Sequence, residues 1–208
     1  MKGTVFSVAL NHRSQLDAWD QAFRAAPYQT PPKTPVWFIK PRNTHLANGG
    51  NIPFPAGETV QSGATLAVVI GNTARKVAAD KVADYVAGYA LANDVSLPET
   101  SFYRPAIKAK CRDGFCPLGE VAALSSTGNL EIVTEINGVE QDRWSTADLV
   151  RSVPELIAAI SDFITLQPGD AVLIGTPHQR VEIKPGDQVT VRAAGLPTLT
   201  NHVTQAGE

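Results

Sequence analysis

Residues 62–94 place the strongest constraint on the fold of this chain. They hold an apolar run (66–70), a Gly71–Asn72 turn, a short helical piece and a second apolar run that ends at Asn93 and Asp94. These runs predict a pair of buried strands. A carboxylate at the end of a buried run is costly unless it is hydrogen-bonded, ion-paired or bound to a metal. Asp94 therefore needs a partner, and the sequence leaves open a catalytic metal or a local hydrogen bond.

The remainder of the chain is typical of short strands separated by turns. Apolar runs and alternation predict strands at residues 4–10, 36–39, 85–91, 130–136, 171–174, 188–193 and 198–203. Asn137–Gly138 predicts a hairpin that pairs 130–136 with 139–143. Helical spacing predicts helices within 11–26 and over 152–163, and a helix start at 79–85; Ser152 and Glu155 form a candidate capping box.

Composition agrees with this pattern and excludes several functions. The 208 residues include 15 prolines and 16 glycines, which favour many turns. We therefore predict an α+β fold, mainly β, with a mixed sheet in a single domain over 1–208. A net charge of −2 gives no sign of a nucleic-acid or membrane partner, and no apolar run is long enough to span a bilayer. Cys111 and Cys116 are expected to be reduced thiols in a cytoplasmic protein.

Three segments concentrate reactive groups. Cations alternate with aromatic residues from Tyr103 and Arg104 to Asp113, a pattern that suits a dicarboxylate and is equally typical of a solvated loop. The turn at residues 175–177 carries Thr176, whose hydroxyl could hold a carboxylate, although most such turns are only turns. His12 lies at a strand-to-helix junction, where a histidine is more often structural than catalytic.

Taken together, the motifs of the chain resemble the fumarylacetoacetate hydrolase family. The matching segments are VALNHRSQ, VWFIKPRNT, LAVVIGNTARKV, GYALAND, KAKCRDGFCPLGE, EINGVEQDRWSTADL and SVPELIAAISDFITLQPGDAVLIGTP. The last of them contains L-x-P-G-D-x-x-x-x-G-T-P, which is quite specific. The resemblance implies a mixed β-roll, with residues 1–57 as a lid or N-terminal segment and 58–208 as the β-roll core.

The resemblance also implies a chemistry. Members of the family bind Mg²⁺ or Mn²⁺ through a Glu-x-Glu pair and an aspartate, and the ion stabilises the enolate of a 2-oxo acid. Asp94 matches the third metal ligand. Lys110 matches the lysine beside metal and substrate, and Asp113 follows it in the same motif; both are candidate catalytic residues, together with His12. The candidate substrate-binding positions are Lys40, Tyr103, Arg104 and Thr176.

Other positions depart from the family pattern. Gly63 and Thr65 replace the Glu-x-Glu pair, and Gln15 and Ala18 replace the catalytic histidine and glutamate of the lid. One carboxylate alone does not hold Mg²⁺ tightly. The main hypothesis is therefore a metal-poor subunit of an isomerase and decarboxylase that acts on a small dicarboxylate. A homologous subunit with an intact Glu-x-Glu pair, or a second copy of the chain, would be its partner.

Two alternatives stay open at this point. The chain could be a catalytically silent structural or binding subunit, which explains the lost ligands equally well. It could also be a stand-alone tautomerase that needs no metal and uses His12 or Lys110 for proton transfer.

Overall fold

The computed structural model describes residues 3–206, which form two large sheets, a small two-stranded sheet and three α-helices. In chain order, the strands and helices are β1 (Val5–Ala9), α1 (Arg13–Phe23), β2 (Val36–Lys40), β3 (His45–Ala47), β4 (Asn51–Phe54), β5 (Val60–Ser62), β6 (Ala64–Ile70), β7 (Val86–Asn93), α2 (Ile107–Lys110), β8 (Cys116–Leu118), β9 (Glu131–Ile136), β10 (Val139–Ser145), α3 (Val153–Ser161), β11 (Ala171–Leu173), β12 (Val181–Ile183), β13 (Gln188–Arg192) and β14 (Leu199–Gln205). Short 3₁₀ helices cover Arg42–Thr44, Ala79–Tyr85 and Thr146–Asp148.

The sheets are mixed, as the sequence predicts. The larger one has the order β2-β1-β11-β6-β7-β8-β3, and the second has the order β10-β9-β13-β14-β4. Parallel pairs (β1 with β11, β3 with β8, β4 with β14) occur beside antiparallel neighbours. The mainly β, mixed-sheet prediction is confirmed. The first 57 residues contribute strands to both large sheets, and their assignment as a lid or N-terminal segment stays a prediction.

The largest apolar core joins the two sheets and α3. Leu66 and Val68 of β6, Ile132 of β9 and Leu156 and Ile160 of α3 belong to this one buried cluster. Helix α3 lies within the predicted residues 152–163 and begins at the predicted capping box, in which Glu155 Oε2 accepts from the backbone of Ser152 at 2.7 Å. This layering fixes β6 in the middle of the protein, since both of its faces are covered.

Strands β6 and β7 position the candidate site. They pair antiparallel, with Ala64 opposite Asn93, so that Gly63 and Asp94 lie just beyond the paired ends. The backbone N–H of Asp94 donates to the carbonyl of Gly63 at 2.8 Å. The predicted strand pair is therefore present, and its end brings Gly63, which the resemblance matches to a position of the Glu-x-Glu pair, next to Asp94.

Several expectations need correction in detail. The helix expected within 11–26 is confined to α1, and the helix start at 79–85 is a 3₁₀ helix.

Both cysteines are free, as expected. Within residues 3–206, no helix is both long and apolar enough to cross a membrane.

Candidate functional site

The Asp94 carboxylate lies at the centre of a buried group of cations. Lys40 Nζ is 2.9 Å from Asp94 Oδ1, and Lys110 Nζ is 3.0 Å from Oδ2. Arg180 Nη2 also contacts Oδ2, at 3.3 Å. All four side chains are almost completely removed from solvent. The sequence left open a metal or a local hydrogen bond as the partner of Asp94. In the structure, Oδ2 accepts hydrogen bonds from Lys110 and Arg180, which are distant in sequence, and three positively charged side chains surround the carboxylate.

Backbone carbonyls fix the most deeply buried of these cations. Lys40 Nζ donates to the carbonyls of Val95 at 3.0 Å and Lys110 at 2.7 Å. Its contact with Asp94 is a close ion pair rather than a directed hydrogen bond, since Asp94 Oδ1 has no hydrogen-bond partner of good geometry among the described residues. Lys40 therefore ties the end of β2 to the segment after β7 and to the end of α2.

The other two cations extend the group towards Thr176 and Glu99. Arg180 donates through Nη2 to Thr176 Oγ1 at 2.8 Å, and through Nη1 to Ser96 Oγ at 2.6 Å and the carbonyl of Asp94 at 3.2 Å. Lys110 Nζ is 3.0 Å from Glu99 Oε1. We call Lys40, Asp94, Glu99, Lys110 and Arg180 the ion cluster; it contains three cations and two carboxylates.

The charges of the ion cluster control the ionisation of its members. Burial alone raises the pKa of Asp94, but the charges of Lys110, Lys40 and Arg180 outweigh burial and hold that pKa well below its usual range. The pKa of Glu99 is lowered in the same way, because Lys110 and Arg180 oppose its burial. Burial and then the charge of Arg180 lower the pKa of Lys110, and the two carboxylates oppose that shift. Both carboxylates are thus ionised at neutral pH.

The folded state is expected to lose stability as the pH falls below about 4. The unfolded chain takes up protons on aspartate and glutamate near pH 4, whereas the folded-state pKa values of Asp94 and Glu99 are lower. Their contribution is therefore complete above about pH 5 and is lost as the pH decreases. Urea denaturation between pH 3 and pH 7 measures this loss. Glu99→Gln should reduce the pH dependence, the exposed Glu120→Gln should leave it unchanged, and stability that is constant over this range would contradict the assignment.

Two of the cavities that residues of the ion cluster line differ in character. One, of about 380 Å³, is mostly apolar and includes Trp37, Phe38, Tyr103, Arg104 and Lys110 in its lining. We call it the aromatic cavity. The other, of about 230 Å³, includes Trp19, Gln61, His178 and Arg180 in its lining, and we call it the polar cavity. Glu99 lines both cavities, so the cluster lies between two spaces that a small molecule could enter.

The structure gathers four of the predicted site residues. Lys40, Asp94 and Lys110 belong to the ion cluster, and Thr176 is bound to it through Arg180. Sequence reasoning missed Arg180 and Glu99. Arg180 lies four residues after Thr176 in the loop that follows β11, and this proximity to a candidate residue was the one signal available for it.

Four other positions lie outside the cluster. Tyr103 and Arg104 are exposed at the aromatic cavity. His12 is buried at the N-cap of α1, where Nδ1 is 2.8 Å from Ser14 Oγ and the ring packs edge-on against Trp144. Asp113 is exposed, and its Oδ1 accepts from Asn43 at 2.7 Å. The catalytic roles expected for His12 and Asp113 stay predictions.

The two lid positions have different surroundings. Gln15 is buried, and its Oε1 accepts from the backbone N–H of Leu10, a residue with a positive φ of 60°. Ala18 is exposed on α1. Gln15 thus supports the junction between β1 and α1.

Known proteins with this architecture identify the family. The family profile described as fumarylacetoacetate (FAA) hydrolase C-terminal matches residues 4–204. The chain belongs to the fumarylacetoacetate hydrolase family. It is 64% identical, over all 208 residues, to the 4-hydroxyphenylacetate degradation bifunctional isomerase/decarboxylase of Escherichia coli. That alignment covers 48% of the E. coli protein, so the chain spans about half the length of the curated relatives it matches.

Solved structures of the family have the same fold. A 5-carboxymethyl-2-hydroxymuconate delta-isomerase from Mycobacterium smegmatis superposes with a TM-score of 0.84 at 31% identity, over 99% of this chain and 80% of that one. A maleylpyruvate hydrolase from Sphingobium sp. SYK-6, in complex with manganese(II) ion and pyruvate, gives a TM-score of 0.80 at 26% identity, over 98% and 71% of the two chains. The expected β-roll of the family is confirmed.

The residues of this chain do not fit the divalent cation that the family implies. Gly63 has no side chain, and Thr65 Oγ1 donates to the carbonyl of Gly175 at 2.6 Å. The two oxygens of Asp94 face ammonium and guanidinium groups, which repel a metal ion. Across residues 3–206 there is no group of three or more His, Cys, Asp or Glu residues that could hold a metal. No step that requires a metal is therefore assigned to this ion cluster.

Proposed function

We propose that the chain is the metal-free half of an isomerase/decarboxylase of 4-hydroxyphenylacetate catabolism. The two reactions would be isomerisation of 2-hydroxyhepta-2,4-diene-1,7-dioate and decarboxylation of 5-carboxymethyl-2-oxo-hex-3-ene-1,7-dioate, both through a stabilised dienolate. A homologous half with an intact Glu-x-Glu pair would hold Mg²⁺ or Mn²⁺. That half would be a separate subunit or part of the same polypeptide; a second copy of this chain lacks the pair.

The occupation of Asp94 by three cations carries this proposal. Full-length identity of 64% to a bifunctional enzyme twice as long supports the pathway. The ion cluster supports a metal site in another half, because the charges of Lys40, Lys110 and Arg180 around the Asp94 carboxylate repel a metal ion. We therefore propose that the metal-dependent chemistry occurs in the other half of the assembly.

The aromatic cavity is the part of this half that suits a substrate carboxylate. Arg104 is exposed at its edge, and its guanidinium can donate two parallel hydrogen bonds to a carboxylate. Tyr103 adds an exposed ring and a hydroxyl beside it. A dicarboxylate with an unsaturated body would contact the apolar wall that Trp37 and Phe38 form.

A catalytically silent half is the second candidate, and the ion cluster favours it as well. The Nζ groups of Lys40 and Lys110 and the Nη groups of Arg180 all point to protein acceptors. Such a cluster can serve stability alone. A stand-alone tautomerase has less support, because His12 caps a helix and Lys110 is held between two carboxylates.

Activity assays of separate and combined halves test the proposal. The purified chain alone is expected to show no isomerase or decarboxylase activity. The chain combined with a homologous half that carries Glu-x-Glu should be active, and EDTA should abolish that activity because the metal lies in the partner. Activity of the chain alone that survives EDTA would contradict the proposal.

A substitution at the aromatic cavity separates a contributing half from a silent one. Arg104→Ala is expected to lower kcat/KM of the combined halves by about tenfold, since one charge-assisted contact to a carboxylate is lost. Arg104 is exposed, so the fold should be unaffected. Arg42→Ala, another exposed arginine, is the matched control and should behave as wild type. An Arg104→Ala complex with unchanged kcat/KM would favour the silent half.

A further inference from the structure

The guanidinium of Arg180 fills the space beside Gly63. A Cβ atom added to Gly63 would lie 3.3 Å from Arg180 Nη1, 3.2 Å from Thr176 Cγ2 and 2.7 Å from the carbonyl oxygen of Asp94. The last distance is shorter than real Cβ contacts, so the backbone carbonyl of Asp94 is the main obstacle to a side chain at residue 63. The first two distances are tight, and Arg180 Nη1 and Thr176 Cγ2 would each have to move by a few tenths of an ångström.

Hydrogen bonds hold Arg180 in a single orientation. Its Nη1 donates to Ser96 Oγ and the carbonyl of Asp94, and its Nη2 donates to Asp94 Oδ2 and Thr176 Oγ1. These four contacts use the four N–H groups on the two Nη atoms. The side chain is 5% exposed. The positive charge of Arg180 is thus directed at the protein itself and not at solvent.

The charge of Arg180 is also permanent. A guanidinium stays protonated when it is buried, whereas a buried lysine can lose its proton. Without Arg180, the two carboxylates of the ion cluster would face only Lys40 and Lys110. Arg180 therefore supplies a permanent positive charge beside Asp94, as a bound cation would.

We propose that Arg180 is a built-in replacement for a divalent cation. Its guanidinium donates to Asp94 and Thr176, and no side chain at Gly63 crowds it. The chain thereby keeps the architecture around Asp94 without binding a metal. This role rests on the proposed function for the assignment of the metal to another half. It also predicts, independently of activity, that Arg180 stabilises the folded chain.

Chemical rescue of Arg180→Ala tests this role. The variant is expected to melt about 5–10 °C below wild type, because a buried carboxylate loses a partner. Methylguanidinium at about 50 mM should restore a measurable part of the loss by binding in the space left behind, and NaCl of equal ionic strength should not. Arg143→Ala is the control: this half-exposed arginine pairs with Glu131 and Glu140, and its variant should melt close to wild type without rescue.

Two results would overturn the role of Arg180. One is a melting temperature of Arg180→Ala that equals that of wild type; the other is a loss that NaCl restores as well as methylguanidinium does. If Arg180→Ala does not fold, Arg180→Lys is measured instead and should lie between wild type and the unfolded variant. A wild-type protein that binds Mn²⁺ with a Kd below about 0.1 mM, by electron paramagnetic resonance, would also contradict the inference. Rescue together with an inactive assembly would leave this inference in place and remove the proposed function.

Discussion

Asp94→Asn is expected to lower the free energy of unfolding by about 3–5 kcal/mol, since the substitution leaves buried cations without their central counter-charge. Glu99, which pairs with Lys110, would then be the one remaining carboxylate beside the three cations of the cluster. Asparagine has nearly the shape of aspartate, so the effect reports charge and not packing. Urea denaturation at pH 7 measures it, and the melting temperature should fall by about 10 °C.

The exposed Asp84→Asn is the matched control for this substitution. It removes the same charge from the surface and should change stability by less than about 0.5 kcal/mol. The difference between the two variants should also shrink at pH 3, because Asp94 of the unfolded chain then takes up a proton while folded Asp94 stays ionised, and the contribution of the carboxylate to stability falls. Equal stability of wild type and Asp94→Asn at pH 7 would show that the carboxylate contributes nothing to the cluster.

Lys40→Met is expected to lower the free energy of unfolding by a similar amount, about 3–5 kcal/mol, for a different reason. The methionine fits the same volume, but the carbonyls of Val95 and Lys110 lose their donor and Asp94 loses one cation. Unpaired buried polar groups retain their desolvation cost. Chemical denaturation measures the loss.

Lys81→Met is the control for Lys40→Met, because Lys81 is exposed. It should leave the free energy of unfolding within about 0.5 kcal/mol of wild type. A Lys40→Met protein as stable as wild type would mean that an apolar side chain replaces the ion pair without cost, as some buried ion pairs allow.

Local signals in the sequence account for the elements that were predicted correctly. The apolar run of β6 and the Asn137–Gly138 turn between β9 and β10 depend on neighbouring residues alone, and both residues of that turn have the positive φ that the hairpin requires. The capping box of α3 is equally local. Short-range patterns of this kind are visible in a single sequence.

The strands that were missed depend on distant partners. β4 contains Pro53 and pairs with β14, about 150 residues away along the chain. β3, β5, β8 and β12 have three residues each, too few for an alternating pattern. Their strand conformation comes from the neighbours that the fold supplies, and no window of sequence contains both members of a pair.

The residues of the candidate site also fall into two groups, those that the sequence identified and those that it did not. Lys40, Asp94, Lys110 and Thr176 were identified through family motifs, and the structure brings them together. Arg180 and Glu99 lie in segments without a distinctive pattern. Their role arises because the loop after β11 and the segment after β7 meet at Asp94. The departure of Gly63 and Thr65 from the Glu-x-Glu pattern was visible in the sequence, whereas the arginine that lies beside Gly63 was not.

Anomalous diffraction from crystals grown with MnCl₂ shows whether side chains of this chain or a metal ion satisfy Asp94. We expect no manganese peak at Asp94, with Arg180 Nη2 in contact with Asp94 Oδ2 and Lys40 in contact with Oδ1. A manganese peak within bonding distance of Asp94, with Arg180 displaced from the carboxylate, would contradict it.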